Sequence, residues 1–242
     1  MPRSAILGDD CYFHVTWQCH NQDWLLAEPW AKQLYYDLLR RYKDRYNVTI
    51  YAYCFMDNHP HLCGHLASRE LFSDFFRVVN SLFARIYNKR MGRRGQVVMD
   101  RFKSPCIQTD TDCLRLMRYL DLNPLRAGKV KHPQDNEWSS YAFYAHGADD
   151  PLITAAPSYC GLAETNAERQ AAYRSIVAEL LETAAHTQQT FSHTPFIGNP
   201  EWVLAKRSEL QNIRAALFRR WQARFRERYG IKQHASFVSM VS

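Results

Sequence analysis

The sequence contains no run of about 20 apolar residues, the length a helix needs to cross a bilayer, so no membrane span is expected. Its opening, Met1 to Asp10, lacks the apolar centre of a signal peptide. There is no CxxC pair among its seven cysteines (Cys11, Cys19, Cys54, Cys63, Cys106, Cys113 and Cys160), and the count is odd. A zinc knuckle and a disulfide framework are therefore not expected. Most of these thiols stand in apolar runs and read as reduced core residues. No internal repeat is visible. What remains is a soluble, cytoplasmic protein of 242 residues, enough for one large domain or a domain plus an extension.

Acid is in deficit. Against 31 Lys and Arg stand 24 Asp and Glu, a formal charge of +7 and a pI near 9.1. That excess favours a polyanionic partner, nucleic acid being the commonest, although a merely basic protein would show the same total. Its distribution is more telling: between Lys206 and Arg228 there are eight Lys/Arg and two acids.

The pattern of apolar residues predicts strands at Cys11–Cys19, Val48–Met56, His59–Leu66 and near Pro105–Gln108. Helical spacing starts at Pro29, follows Ser68 as a cap and ends at Gly92. It resumes behind Asp110 or Thr111 as far as about Asn123, where Pro124 follows. The resulting order β-α-β-β-α-β-α predicts an α+β fold, a ferredoxin-like antiparallel sheet with helices on one face. Further helices are expected over about Asn166–Glu182 and 200–229, the second capped by Asn199. The division predicted is a domain over 1–148 and a helical extension over 149–242, with a tail after Ile231 expected to lack order.

The chain is organised around Tyr53-Cys54-Phe55-Met56-Asp57-Asn58-His59-Pro60-His61-Leu62. Residues two apart on a strand share a face, so His59 and His61 can converge. Imidazole is a common metal ligand, yet a His-x-His pair is more often packing or surface polarity. In Arg115-Leu116-Met117-Arg118-Tyr119-Leu120-Asp121-Leu122-Asn123, Tyr119 and Asn123 are four apart and share a helical face. Packed on the sheet, that helix would set Tyr119 and Asn123 near its surface. Tyr119 is equally a packed aromatic, and Asn123 before Pro124 equally a turn residue. His14 is a further polar group on the first strand.

Taken together, the segments 53–62, Arg101-Phe102-Lys103-Ser104, Arg118 to Gly128 and Trp138-Ser139-Ser140-Tyr141 resemble, in this order, the single-tyrosine HUH transposases of the IS200-like kind, most of all the REP-associated tyrosine transposases. The resemblance covers roughly residues 10–145. It implies an HUH endonuclease core with His59, His61 and Asn123 holding Mg²⁺ or Mn²⁺ and Tyr119 as nucleophile. It implies cleavage and rejoining of single-stranded DNA at palindromic hairpins through a 5′-phosphotyrosine, at the nucleoid, by a monomer or homodimer. Arg93, Arg94, Arg101, Lys103 and Arg115 would then position phosphates, and Phe102 would stack on a base. One departure stands out: the residue between the two histidines is Pro60, which cannot donate to a ladder, so a bulge or a missing pair is expected there. The alternatives are a domesticated hairpin-binding protein that does not cut, and a metal-dependent hydrolase that uses water.

Overall fold

A computed structural model describes residues 6–99, 102–184, 191 and 194–229. Five strands, β1 (Cys11–Thr16), β2 (Val48–Phe55), β3 (Pro60–Leu66), β4 (Cys106–Ile107) and β5 (Phe196–Ile197), form one sheet in the order β2-β3-β1-β4-β5. With helices α1 (Pro29–Tyr42) and α2 (Arg69–Arg90) between them, β1 to β4 follow the expected ferredoxin-like α+β path. They pair antiparallel, whereas β5 joins β4 in parallel and makes the sheet mixed. Phe196 and Ile197 stand as a lone apolar pair between Pro195 and Gly198, so β5 left no pattern to read in the sequence.

Alternation along β1 sorts the two faces. Phe13 packs on Phe72 and Phe76 of α2, at ring centroid distances of 4.6 and 6.5 Å. Beyond the strand, Trp17 meets Tyr35 of α1 at 5.4 Å. His14 and Thr16 point the other way, opposite Cys63 and His61 of β3. The expectation of helices on one face holds for α1 and α2; the opposite face is covered by α3 (Asp110–Arg126), whose Cys113 thiol meets that of Cys63 at 2.8 Å. Against α3 pack α5 (Pro157–Cys160) and α6 (Asn166–Ala184), and α4 (Tyr141–His146) packs on α6. Leu152, Ala156, Tyr159 and Tyr173 share one buried core with the sheet.

Of the two irregularities expected at Pro60, the missing pair is there, since the pairing of β3 with β1 stops at His61 opposite Thr16, and the bulge is elsewhere. Pro60 is the first residue of β3 and pairs with Phe55, whose own N–H turns outward to the Trp138 carbonyl at 2.9 Å. Opposite residues of an antiparallel pair turn their polar groups the same way, toward each other or apart. Toward β2, therefore, no proline N–H is needed, and β3 has no bulge; the Pro60 nitrogen faces β1, where the ladder has already ended. The bulge is in β2, where Tyr51 is skipped between Ile50 and Ala52. Beside it the strands run so close that a Cβ on Gly64 would stand 2.0 Å from the Thr49 carbonyl oxygen and 2.9 Å from Phe13. Only glycine fits there. The Trp138–Tyr141 motif serves the outer edge of β2: the Ser140 N–H donates to the Tyr53 carbonyl at 3.0 Å and the Tyr53 N–H to Ser140 Oγ at 3.2 Å.

Helix α3 is capped one residue earlier than expected, by Thr109, which accepts from the Asp112 N–H at 3.1 Å. It also runs past Asn123 and Pro124 to Arg126. Proline inside a helix donates no hydrogen bond and crowds the carbonyl one turn back. In that turn the Arg126 guanidinium donates to the Tyr119 carbonyl at 3.1 Å. The last helix, α7 (Pro200–Tyr229), begins as expected, with Asn199 Oδ1 accepting from the Trp202 N–H at 2.8 Å. The tail expected to follow Ile231 lies outside the described residues.

Candidate active site

The turn between β2 and β3 is held from three sides. The Asp57 carbonyl accepts from the Leu26 N–H and the Asn58 carbonyl from the Cys19 N–H, both at 2.8 Å. The Asp57 carboxylate bridges Lys32 and Lys129, at 2.9 and 3.0 Å. Burial opposes ionisation of Asp57, but the two ammonium groups outweigh it and hold the carboxyl below its usual range. His59 ends this turn, just before the strand, and its Nδ1 meets Asn58 Oδ1 at 2.6 Å. A carboxamide oxygen only accepts, so this contact places the proton on Nδ1 and leaves Nε2 with its lone pair.

From the turn to the strand, the two histidines converge as the spacing predicted, with ring centroids 4.7 Å apart. His61 is buried on the α3 face. His14 of β1 stacks on it, at 5.2 Å and 17°, and His14 Nε2 lies 3.0 Å from His61 Nδ1. Burial is the main force on all three imidazoles. It lowers the pKa of His59, takes His61 well below the usual imidazole range, and pushes His14 to about 3 against the pull of the Phe191 backbone. All three are neutral at pH 7, the form that binds metals.

Helix α3 brings the Tyr119 ring to 6.2 Å from His61, edge to face. Tyr119 is half-buried, flanked by Phe191 at 4.9 Å and by the Arg126 guanidinium 4.8 Å above its ring. Asn123 is buried one turn on, and its side-chain nitrogen has no hydrogen-bond partner among the described residues. No cluster of three His, Cys, Asp or Glu side chains is placed to hold a metal among the described residues. The two neutral imidazoles offer nitrogen lone pairs that suit a divalent cation; the orphaned Asn123 nitrogen is a donor, so only the carboxamide oxygen of Asn123 would join them as a ligand.

The basic residues divide. Lys103 is exposed, and its backbone pairs with Thr16, which stands opposite His61; the three share one face. Arg94 is exposed, and Arg93 reaches the Gln96 carbonyl at 3.2 Å. Arg115 is exposed but paired with Asp112 at 2.9 Å. Arg101 lies outside the described residues. Phe102 is not a free stacking platform: it is buried against Phe72 and Phe76, at 5.7 and 4.7 Å, because its strand side faces α2.

Two members of the site were not assigned from the sequence. Arg126 stands seven residues after Tyr119, two helical turns on the same side, but a helix ending at Asn123 hides that relation. His14 joins His61 only through the pairing of β1 with β3, which alternation within one strand does not reveal.

Residues 8–103 match the family model described as Transposase IS200 like. The match ends before Tyr119 and Asn123. No curated protein matches the chain. Among solved structures, a REP-associated tyrosine transposase bound to a REP hairpin is 19% identical, with a TM-score of 0.49 over 62% of this chain and 88% of that one. A candidate transposase from Deinococcus radiodurans R1 is 16% identical, with a TM-score of 0.36 over 48% of this chain and 92% of that one. Over residues 8–103, then, the chain matches the IS200-like transposases, the family its motifs resemble.

Proposed function

We propose that this chain is a metal-dependent single-strand DNA endonuclease and strand transferase that works at DNA hairpins, with its catalytic part in residues 1–148. The observation that carries the reading is the meeting of His59, His61 and Tyr119, drawn from a turn, a strand and a helix to ring distances of 4.7 and 6.2 Å. A divalent cation, Mg²⁺ or Mn²⁺, when bound by His59, His61 and Asn123, supplies charge neutralisation and orientation to a phosphodiester.

The chain's own groups do the rest. Asn58 and His14 hold the two imidazoles, and burial keeps them unprotonated. Tyr119 Oη attacks phosphorus and displaces the 3′ oxygen. A P–O bond to tyrosine forms as the bond to O3′ breaks; the phenol loses its proton and O3′ gains one. The 5′-phosphotyrosine conserves the bond, so a second 3′-hydroxyl reverses the step and joins strands. Arg126, above the Tyr119 ring, sets positive charge beside the phenol and the incoming phosphate. Lys103 and Arg94 offer charge to the flanking backbone.

A hairpin-binding protein that does not cut is the second reading. Pro60, the departure from the family pattern, favours it; yet Pro60 opens β3 without disturbing the pairing with β2, and both histidines still meet.

The test is a denaturing gel of the protein with a labelled hairpin library and Mg²⁺ or Mn²⁺. A protein-linked DNA band is expected, absent with EDTA and absent with Tyr119→Phe. Binding without any adduct, whatever the metal, would leave the non-cutting reading. Cleavage without an adduct would point to a water-using hydrolase.

A further inference from the structure

Helix α7 is built unlike the rest of the molecule. Of its 30 residues only Leu210 is buried. Past that point Phe218, Trp221, Phe225 and Tyr229 recur every three or four residues, which puts them in one column along the helix. Their rings follow one another at centroid distances of 5.8, 5.2 and 4.6 Å, tilted by 21° to 43°. All four are open to solvent, between 40% and 59% exposed. Large aromatics in the core of this chain are buried by neighbours from other elements; these touch mainly one another.

Arg219, Arg220, Arg224, Arg226 and Arg228, all exposed, adjoin the rings in sequence and lie on the flanks and back of the column, each about 100° round the helix from the neighbouring ring. From Lys206 to Arg228, eight bases and two acids leave +6, out of +7 for the whole chain. A second copy of the helix is therefore a poor occupant, since two such faces would repel. A polyanion fits the charge. Duplex DNA would satisfy the arginines alone, whereas unpaired bases also use the rings, because every base has a π-face.

We propose that the aromatic column of α7, with the arginines on its flanks, binds single-stranded DNA, as a site separate from His59, His61 and Tyr119. The binding is indifferent to sequence, since it rests on stacking and backbone charge. It rests on the DNA-processing reading only for the source of the strand, the unpaired DNA beside a hairpin.

Fluorescence anisotropy of the full chain in EDTA, where no cleavage is expected, tests the site. The probes are a short oligothymidylate and a blunt hairpin, and the variants are Trp221→Ala with Phe225→Ala, and Trp221→Phe alone. The double variant should lose about tenfold or more in affinity for oligothymidylate, keep its affinity for the blunt hairpin, and melt at the unchanged temperature expected of exposed positions. Trp221→Phe should retain most of the binding. Equal affinity of wild type and double variant for oligothymidylate would overturn the proposal. So would a wild-type dimer that the double variant dissolves in sedimentation, which would make the face an interface between copies. The Tyr119 adduct is read separately, so either claim can fail alone.

Discussion

At the scale of single residues, His14 is the side chain whose consequence reaches furthest. For His61 to present Nε2 to a cation, its proton must sit on Nδ1, and His14 Nε2 at 3.0 Å is the acceptor that holds it there. Replacing His14 by Phe keeps an aromatic ring against His61 and removes the acceptor. His14→Phe should weaken Mn²⁺ binding by about 10- to 100-fold, read by titration with free Mn²⁺ followed by electron paramagnetic resonance. Hairpin affinity in EDTA should not change. The fold should lose about 1–3 kcal/mol, the cost of an unpaired buried N–H. An unchanged Mn²⁺ affinity would mean that packing alone orients His61.

The elements show how far a sequence carries and where it stops. The strands β1, β2 and β3 and the helices α1, α2 and α7 were readable because each is long enough to show its period. So was the meeting of His59 with His61, a relation within one strand and its turn. Helix α4, with six residues, and β5, with two, lie below that length. The end of α3 was misplaced because a residue before proline usually leaves the helix, and here tertiary packing keeps Pro124 inside. The same packing buries Asp121 completely between α3 and α6, where the Tyr173 hydroxyl donates to Oδ2 at 2.6 Å. Burial raises its pKa from 3.8 to about 7, outweighing the hydrogen bond from Tyr173. The folded state therefore binds this proton more tightly than the unfolded chain does. Asp121 contributes its full stability below pH 3.8 and loses it as pH rises toward 7. Urea unfolding of wild type and Asp121→Asn across pH should show their difference shifting in favour of the variant over that window, by on the order of a few kcal/mol, and constant outside it. A difference that does not vary with pH would mean that Asp121 is ionised in the native protein.

For the whole molecule the decisive quantity is where the charge lies. Removing the +6 of residues 206–228 from the total of +7 leaves +1 for everything else. On the proposed functions, the site of His59, His61 and Tyr119 would draw on a few local cations, Arg126 and Lys103, while the long-range attraction for DNA would come from α7. That asymmetry has a measurable signature, since each phosphate contact on a single strand adds about 0.7 to the slope of log K against log salt. Changing Arg219, Arg220 and Arg224 together to Gln should reduce the slope for oligothymidylate by about 2, because three contacts are lost. The yield of Tyr119 adduct at saturating hairpin should stay as it is, because none of the three lies in the site of His59, His61 and Tyr119. If the slope is unchanged, α7 carries its charge as a spectator. If the slope falls and the adduct is lost as well, the strand held on α7 is the strand that reaches Tyr119, and the two sites act as one track.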